Sequence, residues 1–116
     1  MTEPTATTPR EFVAAIKEPD KRLDSELLMA LMARVSGASA QVWDGGILGF
    51  GEAGQPYRMG FAPRKRELVL HFPRGLNDAL PILERLGKFK AGAGRLYIKR
   101  LVDIDLAVLR ELLEAA

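Results

Sequence analysis

Leu86-Gly-Lys-Phe-Lys-Ala-Gly-Ala-Gly-Arg-Leu-Tyr-Ile-Lys-Arg-Leu-Val-Asp-Ile-Asp105 carries the transition that decides the fold. It leaves a helix at Gly87, crosses a basic glycine loop, enters a β segment at Arg95–Arg100 and reaches an acidic cap before a last helix. Gly87 supplies a helix stop, because glycine reaches positive φ without steric cost. Asp103 stands where a helix N-cap is wanted, and Asp105 would be a first-turn acid favoured by the helix dipole. The predicted last helix, 104–115, places Ile104, Val108, Leu109, Leu112 and Leu113 on one apolar face.

Upstream, Thr8-Pro9-Arg10-Glu11 reads as a helix start with a capping box and proline at the first helical position. Phe12, Val13 and Ile16 form a short apolar stripe, and Pro19 closes it. A second helix is predicted over 21–35, with Leu27, Leu28, Leu31, Met32 and Val35 on one face and Gly37 as its stop. From residue 41 the pattern changes. Val42-Trp43, Ile47–Phe50, Tyr57–Phe61 and Glu67–Phe72 are short β-forming segments separated by glycine and proline turns, as in an antiparallel meander. Leu68–Phe72, apolar almost throughout, suits a central strand. A third helix over 78–86 would use Asp78 as its cap and hold Pro81 in the first turn.

The predicted order is α-α-β-β-β-β-α-β-α. It describes an α+β fold with a mostly antiparallel sheet of about four to five strands packed with helices. Residues 1–7 read as a disordered lead and 8–116 as one domain, the size expected for a single core. No cysteine is present, there is one histidine, and no basic leader or long apolar run is visible. Thiolate chemistry and Cys/His zinc sites are therefore excluded, and cytoplasmic residence is expected.

Charge is segregated. Residues 58–100 hold eleven Lys or Arg against three acids, a balance of +8 in a chain of net charge +2. Such a field selects anionic partners. The expected ligand-binding residues are Arg64, Lys65, Lys88, Lys90, Lys99 and Arg100, with Trp43 as an aromatic anchor. The loop Gly87–Gly94 matches neither a Walker loop nor a dinucleotide fingerprint. It is open to two readings, a phosphate cradle or a plain flexible connection.

An anionic small molecule or an acidic protein partner is the expected ligand. Nucleic acid is disfavoured, because only Phe89 and Tyr97 lie near the cations and Tyr97 is as well suited to face inward as outward. The acids Glu11, Glu18, Asp20 and Asp24 supply an alternative, a carboxylate site for iron. They alternate with Arg10, Lys17, Lys21 and Arg22, which oppose a cation. No nucleophile–base pair or cofactor motif stands out, so a binding module is expected ahead of an enzyme.

Three ordered motifs resemble the YdhG-like family, a domain family of unknown function. They are Trp43-x-Gly-x-Ile-x-Gly-Phe-Gly51, Gly60-Phe-Ala-Pro-Arg-Lys65 and Leu86-Gly-Lys-x-Lys-x-Gly with Leu96-Tyr-Ile-Lys-Arg-Leu-x-Asp-Ile-Asp105. The resemblance spans roughly residues 10–115 and implies a small bacterial α+β domain, without catalytic residues to carry over. One branch of the wider family is frataxin-like, which implies intracellular iron delivery. This chain is more similar to the branch carrying the Leu-Gly-Lys-x-Lys and Tyr-Ile-Lys-Arg motifs.

Overall fold

The computed structural model describes residues 7–43, 45–51, 57–92 and 94–115. The predicted lead falls almost wholly outside them, as does the turn predicted at Gly54-Gln55-Pro56. The chain is α+β, with four α-helices and a six-stranded antiparallel sheet among the described residues. Its elements are α1 (Pro9–Ala14), α2 (Pro19–Ser36), β1 (Ala40–Trp43), β2 (Ile47–Phe50), β3 (Met59–Pro63), β4 (Leu68–His71), α3 (Leu80–Leu83), β5 (Lys90–Gly92), β6 (Arg95–Ile98) and α4 (Leu106–Ala115).

The first four strands form the expected meander. After α3 the chain returns and inserts β6 beside β4, leaving β5 at the edge in the order β1-β2-β3-β4-β6-β5. Tertiary pairing supplies the strand that the sequence reading lacked. Lys90, Ala91 and Gly92, read as loop, pair with Tyr97, Leu96 and Arg95. Lysine, alanine and glycine have weak intrinsic β preference, so only the partner strand makes this segment β. The sheet accordingly has six strands, not four to five.

Alternation assigns the two faces. Leu48, Phe61, Leu70 and Leu96 lie in register across β2, β3, β4 and β6, and all are fully buried. They pack with Leu28 and Met32 of α2, Leu83 of α3 and Val108, Leu109, Leu112 and Leu113 of α4 in one core. Burying each such side chain contributes roughly 1.5–3 kcal/mol relative to leaving it exposed. The opposite face carries Trp43, Gly49, Gly60, Val69, His71, Arg95 and Tyr97, by the same registers. None of its side chains joins the core cluster.

Local signals explain the helix boundaries. Thr8 and Glu11 form the predicted capping box, and Gly37 ends α2 in the left-handed region at φ 69°. Pro19 opens α2 instead of merely closing α1, since its missing N–H is free of duty at a first helical position. Leu27 departs from the predicted stripe and is 43% exposed. The expected 78–86 helix is a 3₁₀ turn, Asn77–Ala79, running into the single α turn of α3. Asp78 makes no capping hydrogen bond there.

The cap of α4 is Asp105, two residues later than predicted. Its carboxylate accepts from the Ala107 and Val108 N–H groups at 2.9 and 3.3 Å. Asp103 instead ends a short 3₁₀ turn, Leu101–Asp103. The apolar face expected on this helix is buried as predicted.

Candidate functional site

The Leu86–Lys90 segment is held against the Asp103–Asp105 segment by backbone. Lys88 N–H donates to the Asp103 carbonyl at 3.1 Å, and Asp105 N–H donates to the Leu86 carbonyl at 2.8 Å. Gly87 and Ile104 form an isolated antiparallel bridge between them. β5 then pairs with β6, placing Lys90 opposite Tyr97. Together these contacts define a cleft of about 220 Å³ at the sheet edge.

Lys88, Lys90 and Lys99 line it, with Phe89 and Tyr97 as its aromatic walls. Glu67 and Asp103 complete the lining. Tyr97, whose direction the sequence left open, faces outward: it pairs with Val69 on the face away from the helices. None of the three lysine side chains makes an ion pair or hydrogen bond among the described residues. Three ammonium groups against the two carboxylates of Glu67 and Asp103 leave the lining with a positive balance that attracts an incoming anion.

The remaining predicted cations are elsewhere. Arg64 and Lys65 sit at the β3–β4 tip and line a separate cleft of about 360 Å³ beside the α1–α2 connection. Arg64 donates to the Gly45 carbonyl at 2.7 Å, and the Lys65 carbonyl accepts from Lys21 Nζ at 2.9 Å. Arg100 is turned onto α2, where it pairs with Asp24 at 2.8 Å and Asp20 at 3.1 Å. The hydrogen bond to Asp24 raises its already high pKa, and both aspartates add to the effect. Trp43 lies on the outer sheet face, 9% exposed, with its ring 5.5 Å from that of Tyr57. It does not line the lysine cleft.

Glu11 belongs to the α1 capping box, where hydrogen bonds from Thr8 hold its carboxyl below the usual range. Glu18 faces Lys21 at 3.9 Å. Asp20 and Asp24 share Arg100. Among the described residues, no group of three or more His, Asp or Glu side chains is arranged to hold a metal ion. No helix among them is long and apolar enough to cross a membrane.

The sequence therefore named three of the residues that share one cleft, Lys88, Lys90 and Lys99. It did not place Glu67 or Asp103 beside them. The available signal was β6 alternation, which puts Tyr97 and Lys99 on the same side once Leu96 and Ile98 are assigned to the core. Comparison with family models, curated proteins and solved structures found no match.

Proposed function

We propose that the protein is a binding module that takes an anionic ligand, a small molecule or an acidic segment of a protein partner, in the Lys88–Lys90–Lys99 cleft. The observation that carries this reading is the meeting of three lysines, none of them paired among the described residues, with Phe89 and Tyr97 in one cleft. The lysines attract and hold the anion, while the two rings offer apolar faces to whatever bears it. Glu67 and Asp103 accept hydrogen bonds, so a ligand with hydroxyl or amide donors beside its anionic group suits the cleft best. This fits the YdhG-like resemblance of the motifs, which implies a small domain without assigned catalytic residues.

The test is a thermal-shift panel of sugar phosphates, nucleotides and an acidic peptide. It would use the protein and its Lys88→Gln, Lys90→Gln, Lys99→Gln triple variant. A ligand at 100 times its dissociation constant stabilises the folded state by about 2.7 kcal/mol, several degrees in midpoint for this size. A shift in the parent protein that disappears in the triple variant supports the reading. An equal shift in both, or none with any member of the panel, refutes it.

A further inference from the structure

A second cleft, of about 480 Å³, opens at the other end of the sheet's outer face. It contains none of the residues singled out for ligand binding in the sequence. Two turns build it. The Phe72–Gly75 turn is closed by the Gly75 N–H donating to the Phe72 carbonyl at 2.8 Å. The turn before β6 is tied to it by the Phe72 N–H donating to the Gly94 carbonyl at 2.7 Å. Gly94 has φ +69°, and a Cβ there would stand 2.8 Å from the Phe72 carbonyl oxygen. Glycine is thus what lets the two turns touch, bringing Arg74 on one and Arg95 after the other to a single opening.

The chemistry of the lining is one-sided. Arg74 and Arg95 contribute two guanidinium groups, and no carboxylate among the described residues lines the cleft. Neither arginine makes an ion pair among the described residues. His71 stands opposite Arg95 in the β4–β6 register. Burial, followed by the charges of Arg95 and Arg64, holds its pKa below the ordinary 6.5, so the imidazole is neutral at pH 7. Its Nε2 is buried without a hydrogen-bond partner among the described residues. Tyr57 keeps its phenolic proton, because burial pushes its pKa up against the opposing effect of Arg95.

Tyr57 is also packed against Trp43, the ring centroids 5.5 Å apart. Its ring and that of Trp43 both come within 2.8 Å of where a Cβ on Gly49 would stand, so a bare glycine lets both rings approach the sheet, tilted 58° to each other. The cleft thus combines two arginines with an aromatic wall backed by Trp43.

We propose that this cleft binds a small oxyanion, a carboxylate or phosphate carried on a compact ring-sized body. Arg74 and Arg95 grip the anion and Tyr57 walls the ring. A guanidinium fork matches both oxyanions by bidentate hydrogen bonding, which an ammonium cannot do. The site is separate from the lysine cleft and shares no lining residue with it.

The chain has one histidine, so the imidazole proton signals of the untagged protein report on this cleft alone. The titrants are inorganic phosphate, phenyl phosphate and benzoate, with chloride holding ionic strength constant. The expected result is a saturable shift of the His71 signal and a rise in its pKa, because a bound anion offsets Arg95. Arg74→Gln and Arg95→Gln, both at exposed positions, should each weaken that response at least about tenfold, the loss of one charge-assisted hydrogen-bonding group. The Lys88, Lys90, Lys99 triple variant should retain it, which keeps this site distinguishable from the lysine cleft. The phosphate and benzoate arms show which oxyanion is preferred. No saturable shift with any of the three, a shift that survives both arginine changes, or one lost only in the lysine variant would overturn the proposal.

Discussion

The Asp24 carboxylate is held by two donors from the far end of the chain, Arg100 Nε at 2.8 Å and the Leu101 N–H at 3.1 Å. Asp24 is 7% exposed and belongs to α2, while both donors follow β6. This bond joins a carboxylate read in the sequence as a metal ligand to a cation read as an anion receptor. In the fold their charges offset one another, and the pair ties a helix to the sheet. Removing Asp24 would leave the buried Leu101 N–H without its acceptor and the guanidinium with Asp20 alone.

Asp24→Ala is therefore expected to cost about 2 kcal/mol, most of it the desolvation of an orphaned N–H. Arg100→Gln should cost less, because the arginine is 38% exposed and water can replace part of its role. Chemical denaturation of both variants checks the order. A larger loss for Arg100→Gln would show that the ion pair, and not the backbone contact, dominates.

The exposed pair between Arg85 and Glu111 provides the contrast. Both side chains are at least half exposed, so solvent screens the attraction and side-chain entropy opposes it. Arg85→Gln should change stability by less than about 0.5 kcal/mol, with the small remaining effect vanishing in 1 M salt.

Gly94→Ala and Gly75→Ala both place a Cβ at positive φ, +69° and +85°. Only the first meets an obstacle, the Phe72 carbonyl oxygen, while Gly75 has open space. Gly75→Ala should cost about 1–2 kcal/mol from backbone strain alone. Gly94→Ala should cost clearly more and should also separate Arg74 from Arg95. Equal melting points for the two variants would contradict this account.

His71 makes stability depend on pH with a definite sign. Its pKa is lower in the folded protein than the ordinary 6.5, so the unfolded chain binds the proton more readily. Its contribution is fully present above 6.5 and is lost as pH falls through the folded-state value. Stability measured between pH 7 and 5 should therefore fall less steeply in His71→Gln than in the parent protein. Identical slopes would mean that the imidazole titrates as freely in the fold as in the unfolded chain.

How much of this was legible in advance varies with how local the cause is. The capping box at Thr8, the stop at Gly37, the four-strand meander and the apolar face of the last helix rest on contacts within a few residues, and they read directly. The cap of α4 was misread because Asp103 and Asp105 are chemically equivalent, and only the intervening 3₁₀ turn selects Asp105. β5 was missed because its β conformation is imposed by β6.

The candidate sites divide the same way. Residue type alone identified the cations, but their fate depended on long-range neighbours: Lys88, Lys90 and Lys99 converge, while Arg100 is neutralised by α2. The cleft at Arg74 and Arg95 was not legible at all, since it forms where two turns separated by some twenty residues touch. Local sequence determined which segments are helix or strand and where most of them stop, because caps, turns and periodicity act over a few residues. Tertiary structure decided which charges are offset and which remain available, because that depends on distance in space, which the order of residues does not encode.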